Sequence, residues 1–209
     1  MMLATTVAYQ ITSNFANDYG DGVKGTDNDT RIGPQRVLQS GALSASRLKK
    51  GIWVSIAVSL LLTLATLWRA FGLDSMGYFA LFLLLGGLAI WAAVRYTVGS
   101  NAYGYRGLGD LFVFLFFGLL SVLGSLFLYT QQWIPQALLP AITIGALSTA
   151  VLNLNNLRDS ESDRRSGKNT LVVQMGYQNG IRYHVALCLF ALLSLGGISL
   201  LQPDGVDWT

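Results

Sequence analysis

Residues 52–73 read IWVSIAVSLLLTLATLWRAFGL and residues 76–94 read MGYFALFLLLGGLAIWAAV, and Arg69 is the single charged residue in either run. A helix needs about 20 mostly apolar residues to cross the hydrocarbon core of a bilayer, and each run is long enough. Three more runs of the same kind follow at Leu111–Tyr129, Ile134–Leu154 and Tyr183–Leu201. Met1–Phe15 reads as the last part of a sixth; it has neither a basic n-region nor a small-residue cleavage site, so it is not a signal peptide. The expected fold is therefore all-α, a polytopic transmembrane helical bundle. Of the 209 residues 52% are apolar and 12% charged, about half the charged share of a soluble domain. Such a chain cannot cover a water-facing surface of its own, which excludes a free-standing soluble fold and disorder. The single cysteine, Cys188, excludes a disulfide scaffold and a Cys-based zinc site.

The connections between runs alternate in kind. Segments 17–51, 95–110 and 155–182 are long and polar, whereas 69–75, 130–133 and 202–209 are short. The long segments hold 13 of the 14 Lys and Arg, and cationic loops stay in the cytoplasm. All three long segments are thus expected on the cytoplasmic side of an integral membrane protein. Trp53, Trp68, Trp91 and Trp133 stand near run ends, as an interfacial aromatic belt would place them. The glycines inside the runs, Gly118 and Gly145 among them, suit close helix packing where lipid gives no hydrophobic drive.

The chemistry-bearing polarity lies in two of these segments. Residues 13–41 read SNFANDYGDGVKGTDNDTRIGPQRVLQSG and residues 153–176 read NLNNLRDSESDRRSGKNTLVVQMG. Asn14 and Asp18, Asn17 and Asp21, and Asp159 and Asp163 are i, i+4 pairs. If each run continues as helix for two more turns, each pair shares one helical face. Oxygen donors converging without His or Cys suit a hard cation, and Mg²⁺ fits best, since it combines one or two carboxylates with phosphate oxygens and water. Lys24, Arg31 and Arg36 in the first segment, and Arg158, Arg164, Arg165 and Lys168 in the second, are phosphate-binding types. A solvated positive-inside loop explains the cations equally well, but not two Asn/Asp clusters that begin at run ends. The middle segment, RYTVGSNAYGYRGLGD (95–110), adds Tyr96, Tyr103, Tyr105, Arg106 and Asp110. It reads either as a lid over a polar site or as a plain interhelical turn.

Asn17-Asp18-Tyr19-Gly20-Asp21 resembles the first motif, NDxxD, of the UbiA superfamily of intramembrane prenyltransferases, and Asp159-Ser160-Glu161-Ser162-Asp163 resembles its second, DxxxD. ANDYGDGVKGTDNDTRIGPQR, YGYRGLGDLFVFLFFG and NNLRDSESDRRSGKNTL, in that order, resemble the 1,4-dihydroxy-2-naphthoate polyprenyltransferase branch. The resemblance runs through essentially the whole chain. It implies one prenyltransferase domain over residues 1–209, with nine spans and a central cavity open to the cytoplasm, in a bacterial inner membrane. The six runs here would match the second to seventh spans, so the chain is expected to be truncated at both ends.

The resemblance further implies that Asn17, Asp21, Asp159 and Asp163 are Mg²⁺-diphosphate ligands with Asp18 in support. Arg36, Tyr96, Arg106 and Lys168 would handle the diphosphate, beside Lys24 and Arg31. The implied partners are a polyprenyl diphosphate, 1,4-dihydroxy-2-naphthoate and membrane lipid, with no nucleic acid. The implied reaction ionises the allylic diphosphate, and the electron-rich ring attacks the cation with loss of CO₂. One departure from the broad superfamily pattern is that its third Asp position is Gly25 here, with Asp27 two residues on; this narrows the substrate to the dihydroxynaphthoate branch. Phytyl transfer to the same acceptor and 4-hydroxybenzoate prenylation are the related alternatives. An ion-binding transporter is the remote one, for which acids should lie near midplane on broken helices.

Overall fold

The structure is a computed structural model that describes residues 1–27 and 34–201, and the side chains of all of these but 199 and 201. Among the described residues there is no strand. The helices are α1 (Met2–Val23), α2 (Ala45–Phe71), α3 (Met76–Arg95), α4 (Gly109–Val113), α5 (Ser121–Thr130), α6 (Leu138–Arg165), α7 (Leu171–Met175) and α8 (Tyr177–Leu201). A π-helical stretch, Phe114–Leu120, joins α4 to α5 in one continuous helix, Gly109–Thr130.

Five helices are long and apolar enough to cross a membrane: Ala45–Phe71, Met76–Arg95, Gly109–Thr130, Pro135–Arg165 and Tyr177–Ile198. They coincide with the five full apolar runs, and the chain is an all-α polytopic membrane bundle. α1 is not among the five, because its second half carries Asn14, Asn17, Asp18 and Asp21. It is nevertheless helical through Val23, and α6 runs on through Arg165. Both acid motifs therefore lie on helix and not in loops, which is the condition their i, i+4 spacing requires.

The chain divides into two compact units. The first comprises Met1–Leu108 and Arg158–Thr170. Its α1 and α2 run antiparallel along a seam of hydroxyls: Thr5 Oγ1 lies 3.0 Å from Thr66 Oγ1, Tyr9 OH 2.9 Å from Thr63 Oγ1, and Thr12 Oγ1 3.1 Å from Ser59 Oγ. Thr12, Ser59, Thr63 and Thr66 are buried, while Trp53, Leu61, Leu64 and Trp68 are exposed. That arrangement is inverted relative to a soluble protein. In lipid, leucine gains nothing by turning inward, and hydrogen bonds plus small side chains hold helices together.

At the C-terminus of α1, Gly25 adopts φ +73°, in the left-handed region that favours glycine. The backbone turns there, Thr26 N–H donates to the Asp21 carbonyl at 3.0 Å, and Thr26 and Asp27 become buried. A glycine at this position thus serves the turn, and the acid two residues on faces inward.

The second unit comprises Gly109–Leu157 and Leu171 onward. A close approach occurs at Gly118 on the π-helical stretch, where an added Cβ would lie 2.5 Å from Gly145 Cα on α6. On the other side of α6, Thr143 Oγ1 lies 2.7 Å from Ser194 Oγ of α8, and Gly180 of α8 packs on Leu157.

Candidate active site

Every carboxylate of the two acid motifs belongs to the first unit, and the chain brings the motifs together through one lysine. Lys168, in the turn after α6, donates from Nζ to Asp21 Oδ2 at 2.9 Å. Its backbone N–H donates to the Asp163 carbonyl at 2.8 Å, so the turn that carries Lys168 is anchored to the second motif. Asp21 and Asp163 are both buried. Burial opposes the Lys168 charge, yet Asp21, Tyr96 and Asp163 together hold the ammonium above the usual lysine range.

The other oxygen of Asp21 is held by Tyr105, from the 3-10 turn Tyr103–Arg106. Tyr105 OH donates to Asp21 Oδ1 at 2.8 Å and lies 2.6 Å from Thr26 Oγ1; with its own proton committed to Asp21, it accepts from Thr26. Burial, then the Asp21 charge, raises the Tyr105 phenol above its ordinary range, so the ring stays a neutral donor. Lys24 Nζ stands 3.8 Å from the centroid of that ring, with Lys168 Nζ at 5.5 Å, a cation–π arrangement. Burial lowers the Lys24 pKa, Asp21 opposes this, and the nearby Lys168 and Arg95 charges lower it further. Lys168 thus pairs directly with Asp21, and Lys24 stands close enough to feel the charges of Asp21, Lys168 and Arg95.

The remaining predicted residues fall as follows. Asp18 is buried and ion-paired to Arg36 Nη1 at 2.5 Å. Asn17 is half-buried; its Oδ1 lies 3.4 Å from Thr97 Oγ1, whose hydroxyl also donates to the Ala16 carbonyl at 2.9 Å. This contact requires Gly20, because a Cβ there would collide with Thr97. Asp159 is engaged by its neighbour Arg158 through two bonds, Nε to Oδ1 at 2.8 Å and Nη2 to Oδ2 at 2.6 Å. Tyr96 packs edge-on against Tyr103 at 5.4 Å, and Tyr103 OH is anchored on the Ala92 carbonyl at 2.8 Å. Arg106 is solvent-exposed, unlike the buried carboxylates. Arg31 lies outside the described residues. Thr26, Thr97 and Arg95 are site residues that the sequence does not single out, and Tyr105 enters there only as one of the tyrosines of the middle segment.

Among the described residues, no group of three or more His, Cys, Asp or Glu stands ready to hold a metal on its own. The donors of Asn17, Asp21, Asp159 and Asp163 are all hard oxygens, and cations already face Asp21 and Asp159. A hard divalent ion fits such a set when phosphate oxygens and water complete its shell.

The model of the UbiA prenyltransferase family matches residues 1–207. The chain is 48% identical over 200 residues to an Escherichia coli (strain K12) protein named 1,4-dihydroxy-2-naphthoate octaprenyltransferase, covering 96% of this chain and 64% of that one. It is 44% identical over 209 residues to a Haemophilus influenzae protein of the same name, covering 100% of this chain and 67% of that one. A Dictyostelium discoideum protein named UbiA prenyltransferase domain-containing protein 1 is 28% identical, with 96% of this chain and 60% of that one covered. The chain spans about two thirds of the length of the two bacterial relatives. No solved structure matches it.

Proposed function

The chain belongs to the UbiA prenyltransferase family, and from that membership and the Asp21 site we propose that the protein transfers a polyprenyl group from an allylic polyprenyl diphosphate to 1,4-dihydroxy-2-naphthoate, releasing diphosphate and CO₂. The observation that carries the reading is that Lys168 and Tyr105 both hold Asp21, with Lys24 over the Tyr105 ring and the Arg95 charge near Lys24. This is acid and base in one place, with no Ser/His or Cys/His nucleophile required.

In this reading Asn17, Asp21, Asp159 and Asp163 hold Mg²⁺ together with the donor's diphosphate. The bound ion supplies a positive charge that stabilises the departing diphosphate. Lys24, Arg36 and Lys168, with Arg95, neutralise the remaining phosphate charge. Tyr105 orients Asp21 through its hydroxyl, and Arg36 orients Asp18. Arg106, which is exposed, contributes a further cation for the diphosphate. The apolar spans shelter the prenyl chain and the allylic cation from water. The site faces the cytoplasm of a bacterial inner membrane, because the basic residues concentrate in the three long segments that carry it.

The test is transfer by the full-length protein in membrane vesicles. Prenylated naphthoquinol should form from 1,4-dihydroxy-2-naphthoate and an allylic diphosphate in Mg²⁺, and formation should cease in EDTA. Transfer to 4-hydroxybenzoate but not to hydroxynaphthoate would move the protein to the other aromatic branch.

A further inference from the structure

The second unit holds a group of buried polar atoms that the diphosphate site does not use. Asn153 on α6 is 0% exposed, and neither its Oδ1 nor its Nδ2 has a hydrogen-bond partner. Asp110, 4% exposed at the start of α4, has Oδ1 buried without a partner. Buried polar groups of this kind are rare and call for a ligand or solvent.

Helix register puts them within about a turn of one another. On α6, Gly145 packs on Phe114 and Gly118, and Thr149 Oγ1 lies 3.5 Å from the Asp110 carbonyl. The two segments therefore run antiparallel, and Asn153, one turn beyond Thr149, lies about a turn past Asp110, with its side chain leaning back toward Thr149. Helical side chains lean toward their own N-terminus, which tilts the Asp110 carboxylate toward the level of Asn153. α8 is antiparallel to α6 as well: Leu139 meets Gly197, Thr143 meets Ser194 and Leu157 meets Gly180. That register sets Tyr183 level with Asn153, and Tyr183 hydrogen-bonds the Asp110 carboxylate. One Asp110 oxygen is thereby committed and the other is open.

We propose that Asp110 and Asn153 form the subsite that reads the oxygen substituents of the hydroxyaromatic acceptor. Asp110 Oδ1 accepts a hydrogen bond from a ring hydroxyl, and the Asn153 amide donates to a neighbouring ring oxygen substituent. An open, buried carboxylate oxygen repels a diphosphate and demands a donor, which a phenolic hydroxyl supplies. Tyr183 fixes the carboxylate from the other side, as a positioning residue. The assignment rests on the prenyl-transfer reading and names where the acceptor is recognised.

Two measurements on the full-length protein in membranes test it. In Asp110→Asn and Asn153→Leu, KM for the hydroxynaphthoate should rise about tenfold or more while KM for the prenyl diphosphate stays within about twofold, since only a substrate hydrogen bond is lost. In the unaltered protein, 2-naphthoate without hydroxyls should bind at least about 10²-fold more weakly than 1,4-dihydroxy-2-naphthoate, because a buried oxygen is left unpaired. The second measurement stands even if a variant does not fold. Equal binding of the two naphthoates overturns the subsite. Unchanged acceptor KM in both variants, or equal changes in both KM values, also overturns it and assigns these atoms to an internal water. Absence of any transfer to hydroxynaphthoate by the folded unaltered protein instead overturns the prenyl-transfer reading itself.

Discussion

Tyr105 OH donates to Asp21 Oδ1 at 2.8 Å across 84 residues of chain, while Lys168 holds Oδ2 of the same carboxylate. Tyr105→Phe keeps the ring that Lys24 faces and removes only the hydroxyl. A hydrogen bond to a charged group contributes about 1.5–3 kcal/mol, so kcat/KM should fall by about 10- to 100-fold if Asp21 must be oriented for the reaction. Tyr105→Leu should fall further, because the cation–π contact with Lys24 is lost as well. Steady-state kinetics on the two variants, with melting in detergent as a check on folding, decides the matter. Equal activity in the Phe variant and the unaltered protein would show that Tyr105 serves the turn alone.

Asp21→Ala and Asp163→Ala should each lower transfer by at least about 10²-fold, the scale of losing one electrostatic stabiliser, with the protein still present in the membrane. Asp21→Ala also leaves the buried Lys168 ammonium without the carboxylate that holds it. Lys168→Ala in the Asp21→Ala background should therefore restore part of the thermal stability lost in the single mutant. If the double mutant melts below the single, the Lys168–Asp21 pair is not the dominant constraint on this turn.

Much of this architecture was legible in the sequence, for definite reasons. The five spans could be read because lipid dictates composition over 20 residues at a time, as at Ile52–Leu73. The acid pairs could be read because Asn17 with Asp21, and Asp159 with Asp163, need only local helix to share a face, and α1 and α6 provide it. Tyr105, Thr97 and Arg95 could not be assigned. Tyr105 and Thr97 reach α1 across about 80 residues, and no periodicity encodes which aromatic of a Tyr-rich turn points at a carboxylate. Asn153 was hidden for a different reason: inside an apolar helix, one Asn among Asn153, Asn155 and Asn156 carries no mark of being the one that is fully buried.

The orientation inferred from charge is open to labelling. With Cys188 replaced by Ser, single cysteines at Ser46, Asn101 and Arg164, all exposed, should resist a membrane-impermeant thiol reagent added to intact spheroplasts. Cysteines at Asp74 and Gln132, exposed in the short connections, should react. The positive-inside rule requires this pattern for a chain with 13 of its 14 Lys and Arg in the long segments. Labelling at 101 but not at 74 would invert the assignment.

Close packing at Gly118 separates structure from chemistry. A methyl there would lie 2.5 Å from Gly145 Cα and 2.8 Å from the Ala141 carbonyl oxygen, both backbone atoms that no rotamer change can move. Gly118→Ala must push the π-helical stretch away from α6, and overpacking of this kind costs about 1–3 kcal/mol. Gly87 on α3 is the matched control, since a methyl there meets nothing within 4 Å and alanine favours helix by up to about 1 kcal/mol. Gly118→Ala should therefore lower the melting temperature in detergent while Gly87→Ala leaves it unchanged or raises it. If the acceptor is read by Asp110 and Asn153 on these same two elements, Gly118→Ala should also weaken hydroxynaphthoate binding more than prenyl diphosphate binding. Equal melting of the two variants would mean that lipid, and not the Gly118–Gly145 contact, sets the spacing of the π-helical stretch and α6.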